Sequence, residues 1–374
     1  MMTTIGLLIR PLDVLLFREP RPFDPTDSAS STLPLPRTLA GMIRTHFMRA
    51  AGLTPQTMHA LRQRQPDHWF VRYQVRGPWF CHHPGQGSPL PLVPLPADLA
   101  YRRQQASLTR LRPLTPDDAR LLPAWRPSHP GLLPLWARSA DGKPSTGHYL
   151  TLAGLADYLA DRNLSPSQLC PSDELFVLEE RTGIGVDASS QTAAESRIYS
   201  VRMLRLRPGI RFYAELLLPD NAPSPEALFP SGLTLPWGGE GRRADITRTS
   251  PVSWPTAPPC QGRRLSLLIT PGVFHNAQYP WKPQERGQLL AAAVGKPLAV
   301  SGWDMAGVAE HGHRQRPRPT RYAVPAGAVY LWQTSHERTP PVVESLCDKP
   351  EDRDNGWGLA LTGSWSHFNS DGKE

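Results

Sequence analysis

The sequence predicts an α+β fold of two ferredoxin-like units with long inserted loops. Three observations predict it. Strand-like apolar runs outnumber helical patterns. The chain opens in the order strand, helix, strand pair, as a βαββ unit does. A further set of strands with a short helix fills the C-terminal half. At 374 residues the chain is long enough for two ordinary domains. They divide as 1–170, which carries a proline-rich insertion, and 171–374, which carries a projecting hairpin and glycine-rich loops.

Thr4 to Arg10 is an apolar run ended by Pro11 and reads as the first strand; Val14 to Phe17 is a second apolar patch. A proline-rich loop follows to Pro36, with Arg18, Arg21 and the adjoining Arg37 as its basic residues. A helix comes next, with Thr38 as N-cap, Leu39, Ile43, Phe47 and Ala50 at helical spacing, and Gly52 as the stop. Trp69 to Val75 and Trp79 to His82 flank Arg76-Gly77-Pro78 and read as a hairpin. Residues 84–135 show only short periodic pieces. Thr151 caps a predicted helix over 152–163 with Leu152, Leu155 and Leu159 on its buried face.

From Glu174 onward strands are expected. Leu175 to Glu179 leads into a polar segment, 181–196, that projects. Ile198 to Leu206 and Ile210 to Leu218 then form a long hairpin over Pro208-Gly209. After a glycine-rich basic turn at 235–243 come a strand at 265–270, a short helix at 284–293 and a strand at 298–303. Arg321 to Val324 and Ala328 to Trp332 read as a hairpin over Pro325-Ala326-Gly327, and a glycine-rich segment, 356–363, closes the chain. No internal repeat is visible in the sequence.

The formal charge of +8 and pI near 9.6 favour a polyanionic partner. The cations are 36 Arg against 5 Lys. Guanidinium forks match phosphate and stack on bases, which suits RNA, although GC-rich codons produce the same bias. Cys81, Cys170, Cys260 and Cys347 form no Cys-x-x-Cys pair, so neither a zinc finger nor a dithiol motif is expected; they read as reduced thiols. The N-terminal apolar run lacks a basic leader and stops at Arg10, and no stretch is long enough to span a bilayer, so a soluble cytoplasmic protein is expected. There is no Gly-x-Ser-x-Gly, no His-Glu-x-x-His and no metal-spaced carboxylate cluster. His82-His83, and His311 with His313, lack partner ligands at useful spacing. No catalytic residue, metal or cofactor is therefore expected.

Four segments, in order, resemble one family. They are Arg10-Pro11-Leu12-Asp13-Val14-Leu15-Leu16-Phe17-Arg18 running on to Arg21-Pro22-Phe23; Leu33-Pro34-Leu35-Pro36-Arg37-Thr38-Leu39-Ala40-Gly41; Gly238-Gly239-Glu240-Gly241-Arg242; and Arg321-Tyr322-Ala323-Val324-Pro325-Ala326-Gly327. The closing Gly356-x-Gly358-x4-Gly363 adds a RAMP-type glycine-rich loop. Together they resemble the third, 5′-tag-binding RAMP subunits of type III-B CRISPR (Cmr) effector complexes. The resemblance implies two RRM-like RAMP domains and a non-catalytic role. Such a subunit would cap the 5′ tag of the guide RNA, dock on the large polymerase-like subunit and touch a backbone RAMP subunit. The stretch 84–135 matches no motif of that family.

Each candidate RNA-binding residue also has an ordinary structural role open to it. In the turn at Gly238, Gly239 and Gly241 the missing side chains allow N–H groups to approach phosphate, with Arg242 and Arg243 adding charge; an ordinary tight turn is the bland reading. Arg37 and Arg44 flank a helix N-terminus that can bind an anion, or are surface cations. Arg181, Arg197 and Arg202 line the projecting segment, a clamp or a surface loop. Gly356 and Gly358 support RNA at a sheet edge, or give Trp357 and Trp365 room to pack. The basic run His311 to Arg318 could grip phosphates or be a solvated loop. One alternative function rests on His46: beside Arg44 and Arg49 it could be the base of a metal-independent repeat-processing endoribonuclease. A scaffold that contacts only protein is the third reading.

Overall fold

The computed structural model describes residues 2–18, 29–83, 85, 87–102, 107–120, 122, 124–137, 147–186, 193–257, 262–280, 287–305, 316–334 and 341–368. Its first elements are β1 (Met2–Pro11), α1 (Pro36–Ala50), α2 (Pro55–Arg64), β2 (Gln74–His82), β3 (Leu90–Pro94), β4 (His148–Leu150), α3 (Leu152–Leu159) and β5 (Leu169–Pro171). Then come β6 (Phe176–Val186), β7 (Ala193–Leu206), β8 (Ile210–Pro219), β9 (Thr234–Pro236) and β10 (Arg243–Thr249). The last are β11 (Arg263–Leu268), β12 (Gln288–Ala293), β13 (Val329–Gln333), β14 (Val343–Ser345) and β15 (Leu359–Ser364). The fold is α+β with mostly antiparallel sheets. Two compact units share the chain. One comprises Met1–Pro89, Asp173–Val252 and Ala299–Tyr322, the other Leu90–Ser172, Ser253–Leu298 and Ala323–Glu374. Each unit therefore draws on both halves of the sequence.

In the first unit β8 is buried along nearly its whole length. A strand with that pattern must be central and covered on both faces. It pairs antiparallel with β1 on one side and β2 on the other; β1 pairs onward with β10, and β10 with β9. Buried Glu215 on β8 faces Arg76, at 3.5 Å, and the Tyr213 hydroxyl, which donates to it at 3.1 Å. Helix α1 buries Leu39, Ile43 and Phe47. The Phe47 ring meets Trp69, Phe70, Tyr73 and Phe229 edge-on, with centroids 5.2 to 6.1 Å apart.

Several sequence expectations change here. Helix α1 starts at Pro36, which needs no N–H partner in the first turn, so Thr38 lies inside the helix and donates to the Leu35 carbonyl at 2.6 Å. Ala50 is exposed at its end. No hairpin forms at Arg76-Gly77-Pro78. Trp69–Arg72 is a helical turn, and β2 runs straight through Gly77 and Pro78 as a bulge opposite Tyr213 and Glu215. Gly77 takes φ 105° there, and proline, having no N–H, is tolerated where the ladder is interrupted. The hairpin over Pro208-Gly209 is also absent. β7 pairs with β6 in a separate two-stranded ribbon, joined by Ala29–Ser30 running parallel to Val201 and Arg202, while β8 leaves for the main sheet.

The second unit has its own five-stranded sheet in the order β12-β13-β11-β15-β14, all antiparallel. Of the expected helix at 284–293, residues 284–286 lie outside the described residues and Gln288–Ala293 is strand β12 instead. Pairing with β13 overrides the helical propensity of Leu-Leu-Ala-Ala-Ala. β13 pairs with β11 and β12, not with 321–324. Much of the stretch that the sequence left unassigned lies in this unit. β3 pairs with β4 and β4 with β5, and Leu99–Arg102 forms a hairpin with Ser107–Arg110. Helix α3 is capped by Thr151 and ends at Leu159; Asp161 stands at φ 59°, so the helix does not reach 163, and Leu152 is only half-buried.

Buried Asp98 and Arg110 fasten that hairpin to α3. Tyr158 donates its hydroxyl to Asp98 at 2.8 Å, and Arg110 reaches Asp98 at 3.3 Å and Asp161 at 2.9 Å. Arg112 reaches Asp161 at 2.7 Å. Burial pushes the Asp98 pKa up while Arg110 pulls it down. Cys81, Cys170 and Cys347 are buried thiols, and Cys260 lies outside the described residues. Among the described residues no helix is long and apolar enough to cross a membrane.

Removing one partner of a buried ion pair strands the other. Arg110→Ala is expected to destabilise the fold by roughly 3–5 kcal/mol, read by chemical unfolding; an unchanged midpoint would mean that water replaces the guanidinium at no cost.

Candidate nucleic-acid interface

Beyond Pro11 the chain crosses between β7 and the turn that joins β9 to β10. The Leu15 and Leu204 amides each donate to the other's carbonyl at 2.8 Å. Leu16 offers its carbonyl to the Gly239 N–H, also at 2.8 Å. Gly238 stands at φ 90°, and a Cβ there would lie 2.8 Å from the same carbonyl. Glycine is required at this point both by conformation and by space. Val14, Leu16, Val201 and Met203 close over the contact as a buried cluster.

This docking sets Asp13 at the mouth of an arginine cluster. On β6 and β7 the register places Val177 opposite Arg205, Glu179 opposite Met203 and Arg181 opposite Val201, all on one face of the ribbon. Arg181 Nη2 reaches Asp13 Oδ2 at 3.0 Å, Arg205 Nη2 reaches Oδ1 at 3.0 Å, and Arg242 Nη1 reaches Oδ2 at 3.3 Å. Glu179 holds Arg181 at 2.8 Å and also bonds Arg205 Nε. Three guanidiniums thus meet two carboxylates, and the cluster is open to water, with Asp13 at 41% side-chain exposure. Burial tends to raise the Asp13 pKa, but the Val14 amide and the guanidiniums of Arg181 and Arg205 outweigh it and hold the carboxyl below its ordinary range. Hydrogen bonds from Arg205 and Arg181 lower Glu179 to about 2.

Around this centre lie Arg18, paired with Glu240 at 2.6 Å, and Arg10, bonded to Asp245. Arg243 is exposed and donates to the Thr234 carbonyl at 3.2 Å. Of the residues singled out in the sequence, Arg18, Arg181, Arg242, Gly238 and Gly239 are brought together here. Gly241 holds the open side of the turn at φ 65°. The Gly239 amide, expected to face phosphate, is used on Leu16. Arg202 is exposed on the opposite face of the ribbon from the cluster, and its carbonyl accepts the Ser31 amide at 2.7 Å. Arg197 belongs to β7, but its side chain, like Arg21 altogether, lies outside the described residues.

Other candidates stand elsewhere. Arg37 and Arg44 are half-buried on α1, and Arg37 packs its guanidinium on Gly302. Gly356 and Gly358 belong to the second unit. A Cβ on Gly358 would lie 2.6 Å from the Cys347 sulfur, so that glycine serves close packing. His46 makes a 2.7 Å bond from Nε2 to the Leu228 carbonyl, so this nitrogen carries the proton. His311, His313 and Arg314 lie outside the described residues.

Sequence reasoning missed Asp13, Glu179, Arg205 and Arg10. A usable signal existed for two of them. Glu179 and Arg181 are two apart on a strand and so share a face, and Asp13 is the one acid in an apolar run that has to be buried on both sides.

A family model described as "CRISPR-associated protein (Cas_Cmr3)" matches residues 7–365. No curated protein matches the chain. Among solved structures, a chain of the "Type III-B Cmr-beta bound to cognate target RNA" is similar at 17% identity and TM-score 0.47, over 87% of this chain and 86% of that one. A chain of the "Csm1-Csm4 cassette in complex with cA4" is similar at 11% identity and TM-score 0.38, over 98% and 100%.

Two outcomes follow from the geometry. Because the Glu179 pKa is depressed, its contact is complete above the ordinary carboxylate range and is lost only as pH falls toward about 2. Carboxyl NMR should give that low midpoint, and Arg205→Ala should move it up; an ordinary midpoint in the unaltered chain would refute the pairing. Gly238→Ala, strained in both φ and contact, should destabilise the first unit by about 1–3 kcal/mol in a thermal melt.

Proposed function

The chain belongs to the Cas_Cmr3 family of CRISPR-associated proteins, and from that premise we propose that it is the RNA-binding, non-catalytic subunit that caps the 5′ tag of the guide RNA in a type III-B effector. As a member of that family it is a type III CRISPR effector subunit. In this reading it docks on the large polymerase-like subunit and meets a backbone RAMP subunit. It needs neither metal nor cofactor, and it works in the cytoplasm.

The observation that carries the reading is the convergence of Arg181, Arg205 and Arg242 on Asp13 at the exposed edge of the β6–β7 ribbon. Phosphate recognition needs guanidiniums fixed in orientation, with donors left over. The bonds to Asp13 and Glu179 engage Nε and Nη2 of both Arg181 and Arg205. Each guanidinium carries five N–H donors in a rigid fork, so contacts to a phosphate oxygen can be added to these. Phosphate contacts of this kind position a strand and carry no sequence information. Reading of the tag would then depend on its shape and its 5′ end.

Two further observations support the reading. Counted along the chain, the principal strands of each unit stand in the order second, third, first, fourth, with a short strand added at the edge. That is the antiparallel order of a ferredoxin-like, RRM-like domain, and two such domains are what an RNA-binding RAMP subunit would contain. His46 sits with its ring against Phe47 and Phe229, at centroid distances of 5.6 and 5.7 Å, and its Nε2 on the Leu228 carbonyl, a setting that favours a packing role.

The test is an incubation of the purified chain with 5′-labelled tag-bearing repeat RNA in EDTA, with and without the large subunit, on paired native and denaturing gels. A shifted, intact RNA that prefers the tag to a scrambled 5′ end is expected. Arg181→Ala with Arg205→Ala should weaken the shift and reduce its salt dependence by about two phosphate contacts. A discrete cleavage product would overturn the non-catalytic reading, and no shift in either condition would favour a protein-only scaffold.

A further inference from the structure

We propose that the arms 299–305 and 316–322 of the first unit carry a second RNA contact, a stacking platform for unpaired bases built on Trp303 and Tyr322 and flanked by Arg318 and Arg321. The proposal rests on the RNA-binding reading above but uses none of the residues of the Asp13 cluster.

Four observations lead to it. First, two large aromatics stand open here: Trp303 is 52% exposed and Tyr322 65% exposed. Fold stability gives no reason for either to face water. Second, the local backbone is ordered so as to present Trp303. Trp303 pairs with Pro317 and Asp304 with Arg316 in a short antiparallel ribbon. The Arg318 amide donates to the Gly302 carbonyl at 2.8 Å, and Ser301 donates its hydroxyl to the Arg318 carbonyl at 2.8 Å. Strand alternation puts Trp303 and Met305 on one face, and both are exposed, while Gly302 and Asp304, on the other face, are half-buried.

Third, the back of this ribbon is anchored. The Arg37 guanidinium lies on Gly302, so close that a Cβ there would meet Nη1 at 2.6 Å, and Gln56 of α2 reaches the Met305 carbonyl at 3.4 Å. A rigid aromatic loses little entropy when a base settles on it. Fourth, the surroundings are cationic. The described side chains of the arms 299–305 and 316–322 include Arg318 and Arg321 and one acid, Asp304, and α2 carries Arg62 and Arg64 in its last turn with no acid anywhere along it. Aromatic faces set in a basic groove are how proteins hold unpaired strands without reading sequence. A protein-docking patch would share the exposed Trp and Met, but the excess of arginine over acid favours the polyanion.

The test uses the full-length chain, and the assembled effector, with an unstructured uridine-rich RNA carrying 4-thiouridine. After irradiation, adducts mapped by mass spectrometry are expected on Trp303 or Tyr322. Trp303→Ala with Tyr322→Ala should weaken binding about tenfold or more with the salt slope unchanged, because stacking releases no counterions. Trp303→Phe with Tyr322→Phe should bind nearly as the parent does, which separates loss of a stacking face from loss of fold. Adducts confined to 176–206 and 237–242, with normal affinity in the double alanine variant, would overturn the platform and leave the Asp13 site standing. Normal RNA affinity with failure to enter the assembled effector would overturn it in favour of a protein-docking face. No adduct anywhere and no affinity in the parent would sink the RNA reading itself.

Discussion

The burial of β8 is the constraint from which the first unit follows. A ten-residue strand whose side chains are nearly all withdrawn from water cannot lie at a sheet edge or pair in an isolated ribbon. It must have neighbours on both sides, and β1 and β2 are those neighbours. β7 ends only a few residues earlier, yet it cannot follow β8 into the sheet, because both flanks of β8 are taken. It pairs back on β6 instead. The β6–β7 ribbon thereby leaves the plane of the sheet, and its face carrying Glu179, Arg181 and Arg205 comes to meet Asp13, just beyond the end of β1. The arginine cluster is thus a consequence of where one apolar strand has to go.

Local physics in the sequence was legible where it was decided locally. The first strand, the Leu39, Ile43 and Phe47 face of α1, the Gly52 stop and the Thr151 cap all follow from spacing and capping chemistry, and the structure has them. What misled was chain continuity. Gly77-Pro78 and Pro208-Gly209 carry turn chemistry, but the first became a bulge within β2 and the second a corner between two sheets. Leu289 to Ala293 reads as helix by propensity and is strand β12 because β13 offers it a partner. In each case a contact distant in sequence outweighed the local preference. The stretch 84–135 was opaque for the same reason. Its key residues, Asp98 and Arg110, are defined by Tyr158 and Asp161, some fifty residues away and invisible to any local window.

The candidate site divides the same way. Arg18, Arg181 and Arg242 could be named from charge and setting. Arg205 and the two carboxylates could not, because their part depends on β6–β7 register and on the docking of Leu16 against Gly238 and Gly239. The two units also share a strand order that the sequence conceals. A common topology needs only that apolar residues fall on corresponding faces, not that the same residues recur. β8 with its aromatic and leucine run and β13 with Val-Tyr-Leu-Trp-Gln fill equivalent third positions with different side chains.

Carboxylates inside an arginine site appear at first to work against phosphate binding, since they neutralise part of its charge. The balance of effects argues otherwise. An unpaired arginine side chain samples many rotamers, and ordering it at the moment of binding costs free energy that the new contact must offset. Asp13 and Glu179 bear that ordering in the free protein. Because the cluster is exposed, the pairs themselves add little to stability; their effect is to hold three guanidiniums in one place. The excess of one positive charge remains, and Arg10 and Arg18 are each held in the same manner by Asp245 and Glu240. Repeated at Arg10, Arg18, Arg181, Arg205 and Arg242, this device holds the cations in position in the free protein. A mobile basic tail can supply the same charge but not the same geometry, and geometry is what the proposed capping of one end of an RNA would require.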